Sequence, residues 1–203
     1  MDEHVVVTLF RHGVTEDNKR GAYIGWTNPP ISEDAAFASI ADDYDLIVTS
    51  DLERCLQTTK RLFPHRKPIT MPLFREILFG EWEGKTYADL EHDRQYRRWV
   101  SDPLAEAPPG GESFTEFTER IDQGFRALVE EIKVRSSEKV ILTTHGGVIR
   151  YLLMKYAPEK KSFWEWNVPH GSAVELEWKR EDLRRDARCT SLRVVPIMAK
   201  QNG

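Results

Sequence analysis

Two cysteines, Cys55 and Cys189, are all the thiol chemistry in 203 residues. Their number and spacing give neither a disulfide framework nor a thiolate metal site. Long hydrophobic runs are missing too: none approaches the roughly 18 residues that a membrane-spanning helix needs. Neither charge sign is in marked excess, since 29 Lys and Arg stand against 33 Asp and Glu for a net charge of -4. The chain therefore has no overall pull on nucleic acid or an anionic membrane, and any anion site must be a local cluster. Internal repeats and long linkers are absent. The acidic start Met1-Asp2-Glu3-His4 does not fit a signal peptide. These absences point to a cytoplasmic enzyme of one domain, residues 1–203, long enough to bury a full core.

The stretch that organises the chain is Val5-Val6-Val7-Thr8-Leu9-Phe10, a run of strand formers that ends in Arg11-His12-Gly13. Reactive residues at the carboxyl end of a buried strand lie where open α/β sheets place their sites. Residues 44–50 read as a second strand, followed by Ser50-Asp51-Leu52-Glu53, which has the form of a capping box opening a helix over 52–63. Ser32 reads as the N-cap of a short helix over 33–41. Prolines 68 and 72 mark residues 68–74 as a short edge strand. Residues 87–100 read as one helix, and residues 103–111 as a breaker with three prolines and two glycines. Ser113-Phe114-Thr115-Glu116 is another capping box, and Phe114, Phe117, Ile121, Phe125, Leu128 and Ile132 keep helical spacing, so they belong to the core. Lys139 to Thr144 then repeats the opening design, a strand ending in His145-Gly146-Gly147, with a helix over 148–156. Residues 172–178 and 190–195 alternate like two further strands, with an exposed charged stretch over 179–187 between them.

In a parallel sheet the carboxyl ends share one edge, so Arg11, His12, Arg54 and His145 can meet in one pocket. The helix N-termini after Ser50 and Gly146 would aim their free N–H groups at the same place, and glycines 13, 146 and 147 let backbone come close to an oxyanion. Such a pocket binds phosphate. A histidine held there by its second ring nitrogen can act as nucleophile, while forked arginines suit the phosphoryl oxygens. The leaving alkoxide then needs a proton, for which Glu76 is the best candidate. No Asp, Glu or His cluster has metal-ligand spacing, and no cofactor is implied.

These residues resemble the histidine phosphatase superfamily, the phosphoglycerate mutase-like enzymes. The likeness rests on Arg11-His12-Gly13 with Thr15 and Asn18, Gly25-Trp26, Ser50 to Arg54 with Gln57-Thr58, Arg75-Glu76, Phe79 to Gly84, Gly111-Glu112-Ser113 and Thr144-His145-Gly146. The resemblance covers nearly the whole chain in the right order. It implies a three-layer α/β/α sandwich with a mostly parallel central sheet and one antiparallel strand. It further implies His12 as the phosphorylated nucleophile, with Arg11, Arg54 and His145 as the phosphate pocket, Asn18 assisting it and Glu76 as proton donor. Gly25 and Gly146 are carried over as substrate-contacting positions. Val14 stands where many relatives have Glu, and the segment 85–111, a lid or specificity insertion, is short beside that of the true mutases. The expectation is thus a metal-independent phosphatase of small phosphorylated metabolites, with a bisphosphate-primed mutase and a non-catalytic phospho-ligand binder as the rivals. Arg94, Arg97 and Arg98 are expected on a solvated helix face, with anchoring of a second acidic group as the alternative, Cys55 in the core, and Trp164, Trp166 and His170 as packing under a loop, with the mouth of the pocket as the alternative.

Overall fold

A computed structural model describes residues 4–38, 40 and 43–195 of the chain. Strand β1, His4–Arg11, is followed by a single helical turn α1, Glu16–Lys19, and then β2, Leu46–Thr49. Helix α2, Glu53–Leu62, leads to β3, Ile69–Thr70, and on to short helices α3, Tyr87–Leu90, and α4, Arg94–Ser101. The long helix α5, Phe114–Arg135, is followed by β4, Lys139–Thr144, and α6, Gly146–Tyr156. Strand β5, Ala173–Lys179, the short helix α7, Arg180–Arg184, and β6, Ser191–Val195, complete the described chain.

The six strands form one sheet in the order β3-β2-β4-β1-β5-β6. Strand β1 pairs parallel with β4, which pairs parallel with β2, which does so with β3. Strand β5 lies antiparallel to β1, and β6 antiparallel to β5, so β5 alone runs against the rest. Alternation along β1 divides the core. Val5, Val7 and Leu9 join the cluster built with α5 and α6, while Phe10 joins Ile47, Ile141, Tyr44 and Phe63 in a second cluster. Two buried faces on one sheet make the expected α/β/α layering. On α5 the buried stripe is Phe117, Ile121, Phe125, Leu128 and Ile132, each contributing about 1.5–3 kcal/mol by leaving water. Its Ser113–Glu116 capping box forms as expected.

Several local expectations are corrected. No helix forms over 33–38, and residues 39 and 41 of the expected helix lie outside the described residues. That segment instead straps the end of β1, because Ser32 N–H goes to Val14, Ala38 N–H goes to Gly171, and Phe37 packs on Phe10. The edge strand is only two residues long, since Pro72 opens a 3-10 turn over Pro72–Phe74. The helix expected over 87–100 is two, because the Asp93 carboxylate accepts from Gln95 N and Tyr96 N and starts a new helix there. The charged stretch 179–187 holds α7, which buries Leu183. The expected capping box does not form at α2: its N-cap residue is Leu52, which has no side-chain cap bond, and Ser50 is used elsewhere. No helix among the described residues is long and apolar enough to cross a membrane.

Candidate active site

The carboxyl ends of β1, β2 and β4 meet at one edge, and each delivers a site residue. His12, 3% exposed, follows β1 and directs Nδ1 to the carbonyl of Gly13 at 2.7 Å. A carbonyl only accepts, so Nδ1 carries the proton and Nε2 keeps its lone pair. Burial first, then the neighbouring Arg54, pushes the His12 pKa well below 6.5, so the ring is a neutral base. Gly13 N–H is tied in turn to the Thr58 hydroxyl at 3.0 Å, which fixes the carbonyl that fixes the imidazole.

Arg54, in the first turn of α2, is 1% exposed and held on three sides. Its Nη2 donates to Gly25 O at 2.6 Å, Nη1 to Thr27 O at 2.9 Å and Nε to His145 Nδ1 at 3.3 Å. His145 is fully buried, and its Nε2 faces the Ser50 hydroxyl at 3.0 Å. With Nδ1 accepting from arginine, the proton lies on Nε2 and is donated to Ser50. Burial and Arg54 drive the His145 pKa well below 6.5. The His12 and His145 rings stand 5.1 Å apart, edge to face, and the His170 ring is also 5.1 Å from His12. His170 Nδ1 and Arg11 Nε are buried polar atoms without a hydrogen-bond partner. Burial, then Arg11, lowers His170 to about 4, and burial lowers Arg11 to about 10. Arg11 Nη1 donates to the carbonyl of Val168.

Glu76 lies on the loop after the 3-10 turn at Pro72–Phe74. Its carboxylate accepts from Gly147 N at 2.9 Å and Ile77 N at 3.0 Å. A Cβ at position 147 would sit 2.2 Å from Glu76 Oε1, so the approach requires glycine. The helix N-terminus of α6 thus receives a protein carboxylate, and that of α2 receives Asn28, whose Oδ1 accepts from Glu53 N at 2.6 Å. The expectation that these N–H groups stay open for phosphate is corrected in part: one at each terminus is taken, Gly147 N by Glu76 and Glu53 N by Asn28. Arg120 of α5 braces the Glu76 loop, pairing in two bonds of 2.7 Å with Glu112 and donating to the carbonyls of Leu73, Arg75 and Glu76.

A cleft of about 270 Å³ has Arg11, Asn18, Glu76, Gly147 and Arg150 as its polar lining, and its remaining wall is apolar and aromatic. Asn18 Oδ1 is spent on the Thr15 cap, at 3.1 Å from N and 3.0 Å from Oγ1, while its side chain lines the cleft. Gly25 stands back from it and holds Arg54 through its carbonyl; a Cβ there would lie 2.1 Å from Ile77 O. Gly146 opens α6 beside the Arg11 guanidinium. Among the described residues no three His, Cys, Asp or Glu side chains are grouped to hold a metal.

A family model of the histidine phosphatase superfamily (branch 1) matches residues 7–188. The chain belongs to that superfamily. Among curated relatives, an adenosylcobalamin/alpha-ribazole phosphatase of Escherichia coli is 27% identical over 190 residues, covering 87% of this chain and 92% of that protein. A solved structure described as a putative alpha-ribazole-5'-P phosphatase from Escherichia coli superposes with a TM-score of 0.80 at 23% identity, over 94% of this chain and 95% of that one. A phosphoglycerate mutase structure from Thermus thermophilus reaches 0.69 at 30% identity, over 96% and 100%.

Arg94, Arg97 and Arg98 are exposed, with Arg98 3.4 Å from Glu106. Cys55 is buried, its Sγ 3.5 Å from His145 Nε2, and burial pushes its thiol up to about 12. Trp166 is buried, whereas Trp164 is 57% exposed and lines the cleft instead of packing beneath a loop. Sequence reasoning passed over Ser50, Glu83 and Arg120. Ser50 was indistinguishable from a helix cap, and the partners of Arg120 are distant in the chain. Glu83 had a signal, the Gly80-Glu81-Trp82-Glu83-Gly84 motif, but not a role.

Proposed function

We propose that this chain is a metal-independent phosphomonoester hydrolase working through a phosphohistidine. The observation that carries the reading is the His12 ring, neutral, tied at Nδ1 to Gly13 O and flanked by Arg11 and by Arg54 with His145. Nε2 of His12 attacks phosphorus as the bond from phosphorus to the leaving oxygen breaks. Arg11 and Arg54 stabilise the phosphoryl oxygens, His145 keeps Arg54 oriented, and Asn18 adds an amide donor. Glu76 protonates the leaving oxygen. Its carboxylate then takes a proton from water, whose oxygen attacks phosphorus while the P–N bond breaks, releasing phosphate and free His12.

The substrate is a small phosphorylated metabolite, in keeping with the alpha-ribazole phosphatase named among the relatives. Residues 1–203 act as one domain of cytoplasmic location, and the segment 85–111 serves as the specificity insertion, supplying Trp99 and Pro103 to the cleft. The likeness to phosphoglycerate mutases favours one rival, a bisphosphate-primed mutase on the same site.

The test is turnover of 4-nitrophenyl phosphate in EDTA by wild type and His12→Ala, with acid-quenched and base-quenched samples checked for phosphohistidine. Turnover that survives chelation, vanishes in the variant and passes through an acid-labile adduct is expected. Activity unaffected by His12→Ala would overturn the reading, and activity appearing only with a bisphosphate primer would establish the mutase.

A further inference from the structure

The mechanism leaves His170 unused, although its ring stands as close to His12 as that of His145 does, 5.1 Å between centroids in each case. The backbone after it is tied to the nucleophile. Gly171 N–H is shared between the carbonyls of Arg11 at 3.1 Å and His12 at 3.2 Å, and Ser172 O accepts from Arg11 N at 2.9 Å. Ser172 Oγ donates to Pro169 O at 2.6 Å and closes the turn from the other side. Gly171 has φ +70°, and a Cβ there would come 2.1 Å from Ala36 O, so only glycine lets the turn lie this close to the strap over residues 33–38. The turn is thereby locked to the Arg11–His12 step, and the His170 ring with it.

A histidine kept for packing has its polar atoms paired, as buried polar atoms almost always are. His170 Nδ1 is buried with no hydrogen-bond partner; the His12 carbonyl faces the ring, but out of hydrogen-bond geometry. The charges that weigh most on the ring are Arg11 at the end of β1, Arg54 on α2 and Arg150 on α6, all cations. Burial and Arg11 keep the ring neutral at pH 7, with one N–H to give. Arg54, His170 and Arg11 also act together on His12, so the four groups surround the place where a phosphoryl group would ride on the nucleophile. A donor short of a partner, set among guanidiniums and against His12, suits an anionic oxygen. Resting on the phosphatase reading above, we propose that His170 is a further catalytic residue, its imidazole N–H donating to a phosphoryl oxygen of the substrate, of the phosphohistidine and of the released phosphate. A neutral ring adds this bond without adding another buried cation to a site that already holds Arg11 and Arg54.

The experiment measures kcat/KM for 4-nitrophenyl phosphate and the competitive inhibition constant of inorganic phosphate in wild type, His170→Ala, His170→Phe and His170→Asn. Calorimetric binding of inorganic phosphate is the readout that needs no turnover. His170→Ala and His170→Phe are expected to lose about 10–100-fold in kcat/KM and about tenfold in phosphate affinity. His170→Asn keeps an N–H donor and should recover most of both. Phenylalanine fills the space without a donor, so it separates bonding from packing. Wild-type kinetics in His170→Phe, or a loss in His170→Ala that phenylalanine mends and asparagine does not, would overturn the proposal. Lost turnover with phosphate affinity unchanged would overturn it too, because the ring would then act only through His12. Should His170→Ala fail to fold, the asparagine and phenylalanine variants read the same contrast. A wild type that binds phosphate through His170 yet turns over no ester and forms no phosphohistidine would remove the phosphatase reading and leave the anion contact standing.

Discussion

Glu83 is the residue whose change tests the site's construction most directly. Its two oxygens collect five donors. Oε2 accepts from Gly25 N at 2.9 Å, Thr27 N at 3.1 Å and Thr27 Oγ1 at 2.6 Å, and Oε1 accepts from Trp26 N at 2.9 Å and Phe79 N at 3.0 Å. Glu83→Gln keeps the shape but turns one oxygen into an NH2 group. In the better of its two orientations the amide leaves Trp26 N–H and Phe79 N–H facing a donor. Two charge-assisted bonds, discounted because the side chain is only half-buried, amount to about 2–3 kcal/mol. For a chain of this length that lowers Tm by about 4–12 °C. Burial alone would raise the Glu83 pKa, but the Thr27 hydroxyl and the N–H groups of Trp26, Gly25 and Phe79 outweigh it and hold it below 4.5. A folded pKa below the unfolded one gives stability that is complete above the unfolded value and lost as pH falls through the folded value. The gap between wild type and variant should therefore be full at pH 7 and shrink progressively as pH falls below the unfolded value of about 4.3. Urea unfolding from pH 7 down to pH 3.5 measures it. A gap below about 0.5 kcal/mol at pH 7, or one that persists undiminished at low pH, refutes the clamp.

Two further changes probe the chemistry. Glu76→Gln should cost an alkyl phosphate about 10²–10⁴-fold in kcat and 4-nitrophenyl phosphate far less, because only the alkoxide needs its proton; steady-state rates on both esters decide, and equal losses would remove Glu76 from the acid role. Ser50→Ala strips the fully buried His145 Nε2–H of its oxygen acceptor, leaving it only the weak Cys55 sulfur at 3.5 Å, and should destabilise the fold by about 1–3 kcal/mol while lowering kcat, as urea melts and turnover would show; a variant neutral in both would mean that Ser50 does not orient His145.

What could be read from the sequence was whatever local chemistry enforces. The apolar runs before His12 and His145 become adjacent parallel strands because both are buried on two faces, and the Ser113–Glu116 box caps α5 because its donors and acceptor are three residues apart. The failures share a cause in tertiary competition for the same polar atoms. Ser50 has the spacing of a cap, yet His145, distant in sequence, claims its hydroxyl. Residues 33–38 have a helix-like start, yet Val14 and Gly171 take the backbone N–H groups of Ser32 and Ala38. Arg120 lies between the apolar positions Phe117 and Ile121 of α5, and nothing near it in the chain foretells that it gathers three carbonyls under Glu76.

The same competition explains how the site stays ready for an anion. A buried arginine needs acceptors, and a carboxylate partner would satisfy it but cancel its charge. Here Arg54 is oriented by the carbonyls of Gly25 and Thr27, and Arg11 by that of Val168, which fix geometry without neutralising either group. Glu83, close enough to raise the Arg54 pKa, spends its lone pairs on backbone N–H instead of on the guanidinium. Glu76 offsets part of the charge on Arg11, but its oxygens too are turned to backbone N–H. Two desolvated guanidiniums without ion-pair partners are costly, and the drop of Arg11 to about 10 expresses that cost. On the proposed reading, a phosphoryl group is the ligand that would relieve it. Its charge would raise both arginines back toward their ordinary range, so the free energy held in an uncompensated site is returned on binding and is greatest where the phosphoryl oxygens carry the most charge.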